Sequence, residues 1–350
     1  MPNISVILSA YNDEKTVKRC LESVFAQENT DMRIECLVVD DCSTDATLDI
    51  IRHEVGAYKG SISFRILRHK IHHGLSRTRN TGLDRAMGDY VMFVNATDVL
   101  RPGCMDVFMV NLMRYWDVDV IAGNVFNSVS GQNLFPNLTS TMALRGRGQM
   151  ICQEMLANHL YLFAWNKLIR RDLLMSLNAR FDETMAYADI QWAFQVFSNV
   201  SSIALLPEVT YEYMSHDMGT IGMAEKRVNA LLSSYAATSE YLIDHCPRPE
   251  GEGEGYYFAH QLFVYGMLEG AELVLKEYNV LPQVKRELSN VRSRLVSQTR
   301  KDGQKRLSLY FVQDASLFSG IIKLPAFKRF DEVVADVVKQ LGTLVGKQLS

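Results

Sequence analysis

Cys36-Leu37-Val38-Val39-Asp40-Asp41-Cys42-Ser43-Thr44-Asp45 is the stretch on which the fold turns. Four apolar residues in succession read as a strand buried on both faces, the pattern of a parallel sheet covered by helices. The polar cluster ends that strand, and Asp45 to His53 then reads as a short helix. The same alternation continues in both directions. Upstream, Ile4 to Leu8 reads as a strand, and Val17, Cys20, Leu21, Val24 and Phe25 fall on one helical face. Downstream come an alternating strand (Ile62 to Ile66), a helix (Ser76 to Met87) and a strand (Tyr90 to Val94). A β-α-β-α-β-α-β order predicts an α/β domain with a mostly parallel sheet flanked by helices. Ligands of such sheets bind beyond the carboxyl ends of the strands. Three polar clusters stand there: Ser9 to Asn12, Asp40 to Asp45, and Asn95 to Asp98.

The 350 residues allow one large domain and a smaller one. With 47% hydrophobic and 22% charged residues the composition is that of a globular protein. A net charge of −3 gives no general reason to expect nucleic acid as a partner. Six scattered cysteines without a CxxC pair predict reduced thiols rather than a disulfide framework or zinc site. No signal-peptide pattern opens the chain and no apolar run reaches about 20 residues, so a cytoplasmic protein is expected. The sequon Asn137-Leu138-Thr139 is read as chance.

Val118 to Ala122 reads as a further strand, and Asn127 to Gly148 as a polar loop over the site. The run from Cys246 to Gly255, rich in Pro, Gly and Glu, has linker composition, and mainly helical patterns follow. The expected domains are 1–225 and a helical extension, 226–350. Phe330, Val333, Val334, Val337, Val338, Leu341, Leu344 and Val345 form an apolar stripe near the C-terminus, with lysines and an arginine around it. Packing onto the protein itself, a homodimer through these helices, and attachment to an anionic membrane surface at the inner face of the plasma membrane are all compatible with it.

Taken alone, Asp40 to Asp45 suits helix capping as well as hydrogen bonding to a base and ribose. The run Gly74-Leu75-Ser76-Arg77-Thr78-Arg79-Asn80-Thr81-Gly82, leading into the strand that ends at Asn95, adds a second motif at fitting distance. Ser5 to Asn12, Trp165 to Arg171, and Phe181-Asp182-Glu183 through Asp189 add others in order. Over residues 1–220 the chain resembles the inverting nucleotide-sugar glycosyltransferases of GT-A fold, bacterial-type family 2. The resemblance implies that Tyr11 packs on the nucleotide base beside Asn12, Asp40 or Asp41 binds base and ribose, and Arg79 faces the diphosphate. A surface salt bridge is the alternative for Arg79. The implied partners are a nucleotide-sugar donor, most often a UDP-sugar, and a glycan or lipid-linked acceptor.

Two departures stand out. Asn95-Ala96-Thr97-Asp98 occupies the place of the family's Asp-Ser-Asp-Asp, leaving one carboxylate where magnesium or manganese prefers several anionic oxygens. The resemblance still implies Mn2+ or Mg2+ at Asp98, with Asn95, Thr97 and His216 as further ligands. In Tyr187-Ala188-Asp189-Ile190-Gln191-Trp192, Ala188 replaces an acid, while Asp189 retains the position of the general base. A helix-dipole role is the alternative for Asp189. Trp165 is a candidate to stack on an acceptor sugar, with Asn166 and Lys167 beside it, or else a core residue. The adjacent His72 and His73 are a weak metal signal, because neighbours in a strand or turn point apart. A degenerate nucleotide-sugar-binding subunit is the competing function. A nucleotidyltransferase is disfavoured by the acidic, glycine-free turn at Ala10 to Glu14.

Overall fold

The computed structural model describes residues 2–28, 32–128, 130–134, 138–146, 163–214, 221–245 and 279–301, with isolated positions at 264, 268, 271 and 275. His216, Asn137, the whole linker-like run and the C-terminal apolar stripe lie outside them. The chain divides into two compact units. One comprises Met1–Gly148, Leu162–Thr184 and Trp192–His216; the other comprises Gln149–Tyr161, Met185–Gln191 and Asp217–Ser350.

The first unit is built on β1 (Asn3–Ala10), β2 (Arg33–Asp40), β3 (Ser63–Arg68) and β4 (Tyr90–Asn95). Between them run α1 (Val17–Phe25), α2 (Thr47–Ala57) and α3 (Leu75–Arg85). These four strands lie parallel in the order β3-β2-β1-β4. Central strands β1, β2 and β4 bury nearly every side chain, as expected for strands covered on both faces. On α1, Val17, Cys20, Leu21 and Val24 form the buried stripe.

The sheet continues as β9-β6-β10-β5, where β5 is Val99–Leu100, β6 Val120–Asn127, β9 Lys167–Arg170 and β10 Ser202–Tyr213. Strand β9 runs antiparallel between β4 and β6, so the sheet is mixed beyond β4. Helix α4 (Cys104–Arg114) precedes β6, and α5 (Arg171–Ser176) follows β9. The expected loop from Asn127 to Gly148 is partly sheet: β7 (Gln132–Asn133) pairs with β6, and β8 (Met142–Arg145) pairs antiparallel with β10. Its polar composition hid a strand whose hydrogen bonds, rather than side-chain burial, hold it in place.

Two close approaches fix the packing. A Cβ on Gly88 would meet the Ser5 amide nitrogen at 2.6 Å, and one on Gly82 would meet Ile7 Cγ2 at 2.3 Å. Helix α6 (Asp189–Phe197) carries Trp192, whose ring stacks on Phe181 at 4.5 Å and meets Phe93 edge-on at 5.6 Å.

In the second unit, α7 (Ile221–His245) and α8 (Pro282–Lys301) pack together. Val284, Leu288, Val291 and Leu295 give α8 a buried stripe at helical spacing. Asn229 accepts a hydrogen bond from the Leu281 amide at 2.8 Å, and Arg294 pairs with Asp244.

Candidate nucleotide site

Register brings the three predicted clusters side by side. Ala10 lies opposite Asp40 across β1 and β2, and Ser9 opposite Asn95 across β1 and β4. Past the strand ends the first two loops are tied together. Asn12 takes a left-handed backbone with φ 54°, its Oδ1 accepts from the Thr44 amide at 2.9 Å, and its own amide donates to Ser43 Oγ at 3.0 Å. Asp13 donates its amide to Thr47 Oγ1 at 2.7 Å, and Glu14 and Asp45 exchange bonds with each other's loops. Asn12 is therefore a brace between loops. The capping alternative for Asp45 holds in part: its Oδ1 accepts from the Thr47 amide at 3.0 Å. Burial alone would raise the Asp45 pKa, but hydrogen bonds from Thr47 and Glu14 hold it below its ordinary value.

Asp40 and Asp41 are both buried yet differ in engagement. Asp41 Oδ1 meets His69 Nδ1 at 2.6 Å and accepts from the His73 amide at 3.0 Å. Its Oδ2 meets His72 Nδ1 at 2.8 Å and accepts from the Gly74 amide at 2.7 Å. The other nitrogen of His69 meets Thr81 Oγ1 at 2.9 Å. Asp41 thus holds the loop that leads into α3. Asp40 has looser contacts, two at 3.3 Å from the Ser43 amide and one at 3.5 Å to Arg68 Nε.

Tyr11 is 40% exposed at the end of β1. One face of its ring is covered by His72, with centroids 3.8 Å apart and planes 25° apart. Sequence reasoning weighed His72 only as a weak metal signal and missed this contact, because stacking between two loops leaves no local signal.

Arg79 lies buried on α3. Its guanidinium donates to Asn95 Oδ1 at 3.2 Å and sits 5.0 Å from the centre of the Phe181 ring. A surface salt bridge, the alternative reading for Arg79, is made on the same helix by Arg77, which meets Glu183 at 3.1 Å. Burial would raise the Glu183 pKa, but hydrogen bonds from Asn80 and Arg77 and the Arg77 charge hold it below its ordinary value.

Asp98 is 0% exposed. Its Oδ2 accepts from Tyr211 OH at 2.8 Å and Asn95 Nδ2 at 2.9 Å; its Oδ1 accepts from the Met214 amide at 3.1 Å and Thr97 Oγ1 at 3.3 Å. Burial first, and then the Asp98 charge, push the Tyr211 hydroxyl well above its ordinary pKa. This donor set does not fit a divalent ion. Both carboxylate oxygens serve protein donors, the Asn95 carbonyl faces a guanidinium, and the Thr97 hydroxyl is turned to Asp98. Among the described residues no group of three or more His, Cys, Asp or Glu side chains is placed to hold a metal ion. His216 lies outside the described residues.

The proposed acceptor trio is internal, which corrects the expectation. Trp165 is 4% exposed and stacks between Phe163 at 5.1 Å and Tyr211 at 4.9 Å. Asn166 Nδ2 donates to the Gly123 and Asn124 carbonyls at 3.0 Å, and its Oδ1 accepts from Thr210 Oγ1 at 2.7 Å. Lys167 Nζ donates to the carbonyls of Phe163 at 2.5 Å and Trp165 at 3.3 Å. The buried ammonium is held by carbonyl dipoles. Asp189 is the first residue of α6 and half-buried, within the second unit.

Comparison with known proteins agrees with this arrangement. Residues 5–177 match the family model described as Glycosyl transferase family 2. The chain is 26% identical over 219 residues to "Uncharacterized glycosyltransferase YibD" of Escherichia coli, covering 61% of this chain and 62% of YibD, just under two thirds of its length. It is 26% identical over 226 residues to poly(ribitol-phosphate) beta-N-acetylglucosaminyltransferase TarS of Staphylococcus aureus, covering 63% of this chain and 36% of TarS. The crystal structure of TarS 1–349 in complex with UDP-GlcNAc aligns with a TM-score of 0.55 at 18% identity, covering 87% of this chain and 91% of that one. The mannosyltransferase PcManGT of Pyrobaculum calidifontis, in complex with GDP-Man and Mn2+, aligns at 0.54 with 13% identity, covering 98% and 87%. No helix among the described residues is long and apolar enough to cross a membrane. The segment 5–177 therefore belongs to glycosyl transferase family 2, carried on a GT-A sheet with the three strand-end loops in register.

Proposed function

We propose that the protein is an inverting glycosyltransferase that moves a sugar from a nucleoside-diphosphate sugar, a UDP-sugar, to a hydroxyl of a glycan or lipid-linked acceptor. The observation that carries this reading is the register that sets Tyr11, Asp40 and Asn95 at the ends of three adjacent parallel strands, with Arg79 bonded to Asn95. That is where an α/β sheet binds its ligand. Similarity to TarS, solved with UDP-GlcNAc and named for a poly(ribitol-phosphate) acceptor, supports the uridine donor and a hydroxyl-bearing acceptor.

In this reading Tyr11 offers an aromatic face to the base. Asp40, whose contacts are the longer of the acidic pair, accepts hydrogen bonds from base or ribose. Asp41 shapes the loop. Asp189 takes the acceptor hydroxyl's proton as that oxygen attacks the anomeric carbon from the side opposite the diphosphate. One in-line displacement of this kind inverts the configuration. Negative charge then gathers on the departing diphosphate, and the guanidinium of Arg79 stabilises it through a low-dielectric surround. No step is assigned to a metal.

The test is UDP release from a panel of UDP-sugars offered with glycan and lipid-linked acceptors. The wild type should turn over at least one pair with inverted product. Asp189→Asn should lower transfer by about 10²-fold or more while UDP affinity stays within about twofold. Unchanged turnover in that variant would remove Asp189 from the role.

A further inference from the structure

The loop from His69 to Gly74, between β3 and α3, is held more firmly than its place between two elements requires. Asp41 receives His69 and His72 through their ring nitrogens and His73 and Gly74 through their amides. Gly74, at φ 94°, lets the chain turn from that carboxylate straight into α3. The carboxylate is 2% exposed at its side chain, while the His72 side chain is 49% exposed. His72 is thus pinned at Nδ1 and at the backbone on its C-terminal side, with its ring laid over Tyr11 at 3.8 Å. A carboxylate partner places the proton on Nδ1, which sets the tautomer and ring orientation.

We propose that His72 is a positioning residue for the donor's base: it closes one face of Tyr11 and locks that ring, so the base stacks on the face left open. This rests on the nucleotide-sugar reading above. Without His72 the Tyr11 ring regains rotational freedom and loses its stacking partner, and both effects weaken base binding. Displacing the ring to seat a base beneath it would break a hydrogen bond to a buried carboxylate, which disfavours a role as a removable plug. Aromatic pairs of this kind correspond to roughly a 3- to 10-fold change in affinity.

The experiment titrates UDP and inorganic pyrophosphate into the wild type, His72→Ala, His72→Phe, Tyr11→Ala and the Tyr11→Ala/His72→Ala double variant, with melting curves alongside. The expected result is about 3- to 10-fold weaker UDP binding by His72→Ala, recovery in His72→Phe, and unchanged pyrophosphate binding. His72→Ala should cost nothing further once Tyr11 is gone. UDP affinity equal to or tighter than wild type in His72→Ala would overturn the proposal, the tighter case meaning that the imidazole occupies the base's place. Equal loss of pyrophosphate would also overturn it, as would additive losses in the double variant. If the wild type binds no UDP at all, the nucleotide reading itself fails, an outcome separate from these.

Discussion

Replacing Asp98 by Ala separates an internal hydrogen-bond hub from a metal ligand. In the structure the carboxylate is wholly buried and accepts from Tyr211 OH, Asn95 Nδ2, Thr97 Oγ1 and the Met214 amide. The Tyr211 and Asn95 bonds are short, and a hydrogen bond to a charged group contributes about 1.5–3 kcal/mol. The bonds from Thr97 and Met214 are longer and are taken at about 0.5–1 kcal/mol each. Water entering the space left by the side chain recovers part of the sum, so a net loss of about 3–5 kcal/mol is expected. The assay is chemical unfolding in EDTA, followed by tryptophan fluorescence. Trp165 and Trp192 are both buried in the unit that holds Asp98, so their emission reports its unfolding. Tyr211→Phe removes one of the two short donors to the carboxylate and should cost about 1.5–3 kcal/mol on the same scale. A metal-ligand carboxylate behaves in the opposite way without metal, since its removal relieves uncompensated negative charge. A loss under about 1 kcal/mol for Asp98→Ala in EDTA would refute the hub.

Gly88→Ala drives a Cβ to 2.6 Å from the Ser5 amide nitrogen, a backbone atom of central strand β1 that cannot swing aside, and should lower stability by about 2–3 kcal/mol in a thermal melt. Acid should destabilise the fold through Glu183 and Asp45. Both have folded pKa values below their ordinary ones, so their stabilisation is present above about pH 4.5 and 3.8 respectively and is lost as pH falls through the depressed values. Melting temperature should therefore hold from neutrality to about pH 5 and then drop, and Glu183→Gln should shallow the drop; an unchanged acid limb would contradict that assignment.

The legible part of the fold is the part written in local pattern. Strands β1, β2 and β4 announce themselves as apolar runs because both faces are covered, and α1 as a stripe because only one is. Strand β8 was hidden because Met142 to Arg145 alternate between half-buried and exposed, and the strand is defined only by its pairing with β10. At the site, sequence named three clusters that the strand register sets side by side, but could not rank their members. Asp40 and Asp41 are adjacent and chemically identical, and only the histidine loop returning from β3 commits Asp41 to an internal role. Lys167 read as a polar candidate for the cleft, yet its long alkyl arm carries the ammonium to two main-chain carbonyls inside the protein. Tyr211 went unnoticed although it is buried against the Asp98 carboxylate, since nothing within β10 distinguishes it from a core aromatic.

The most direct test of the account is calorimetric titration of UDP, GDP, dTDP and CDP, each with manganese and with EDTA. The account predicts selective binding of UDP, with the same affinity in both conditions because Asn95, Thr97 and Asp98 are committed to one another, to Arg79 and to Tyr211. Binding of UDP that requires manganese would contradict the reading of that cluster, and binding of no nucleotide would contradict the proposed function.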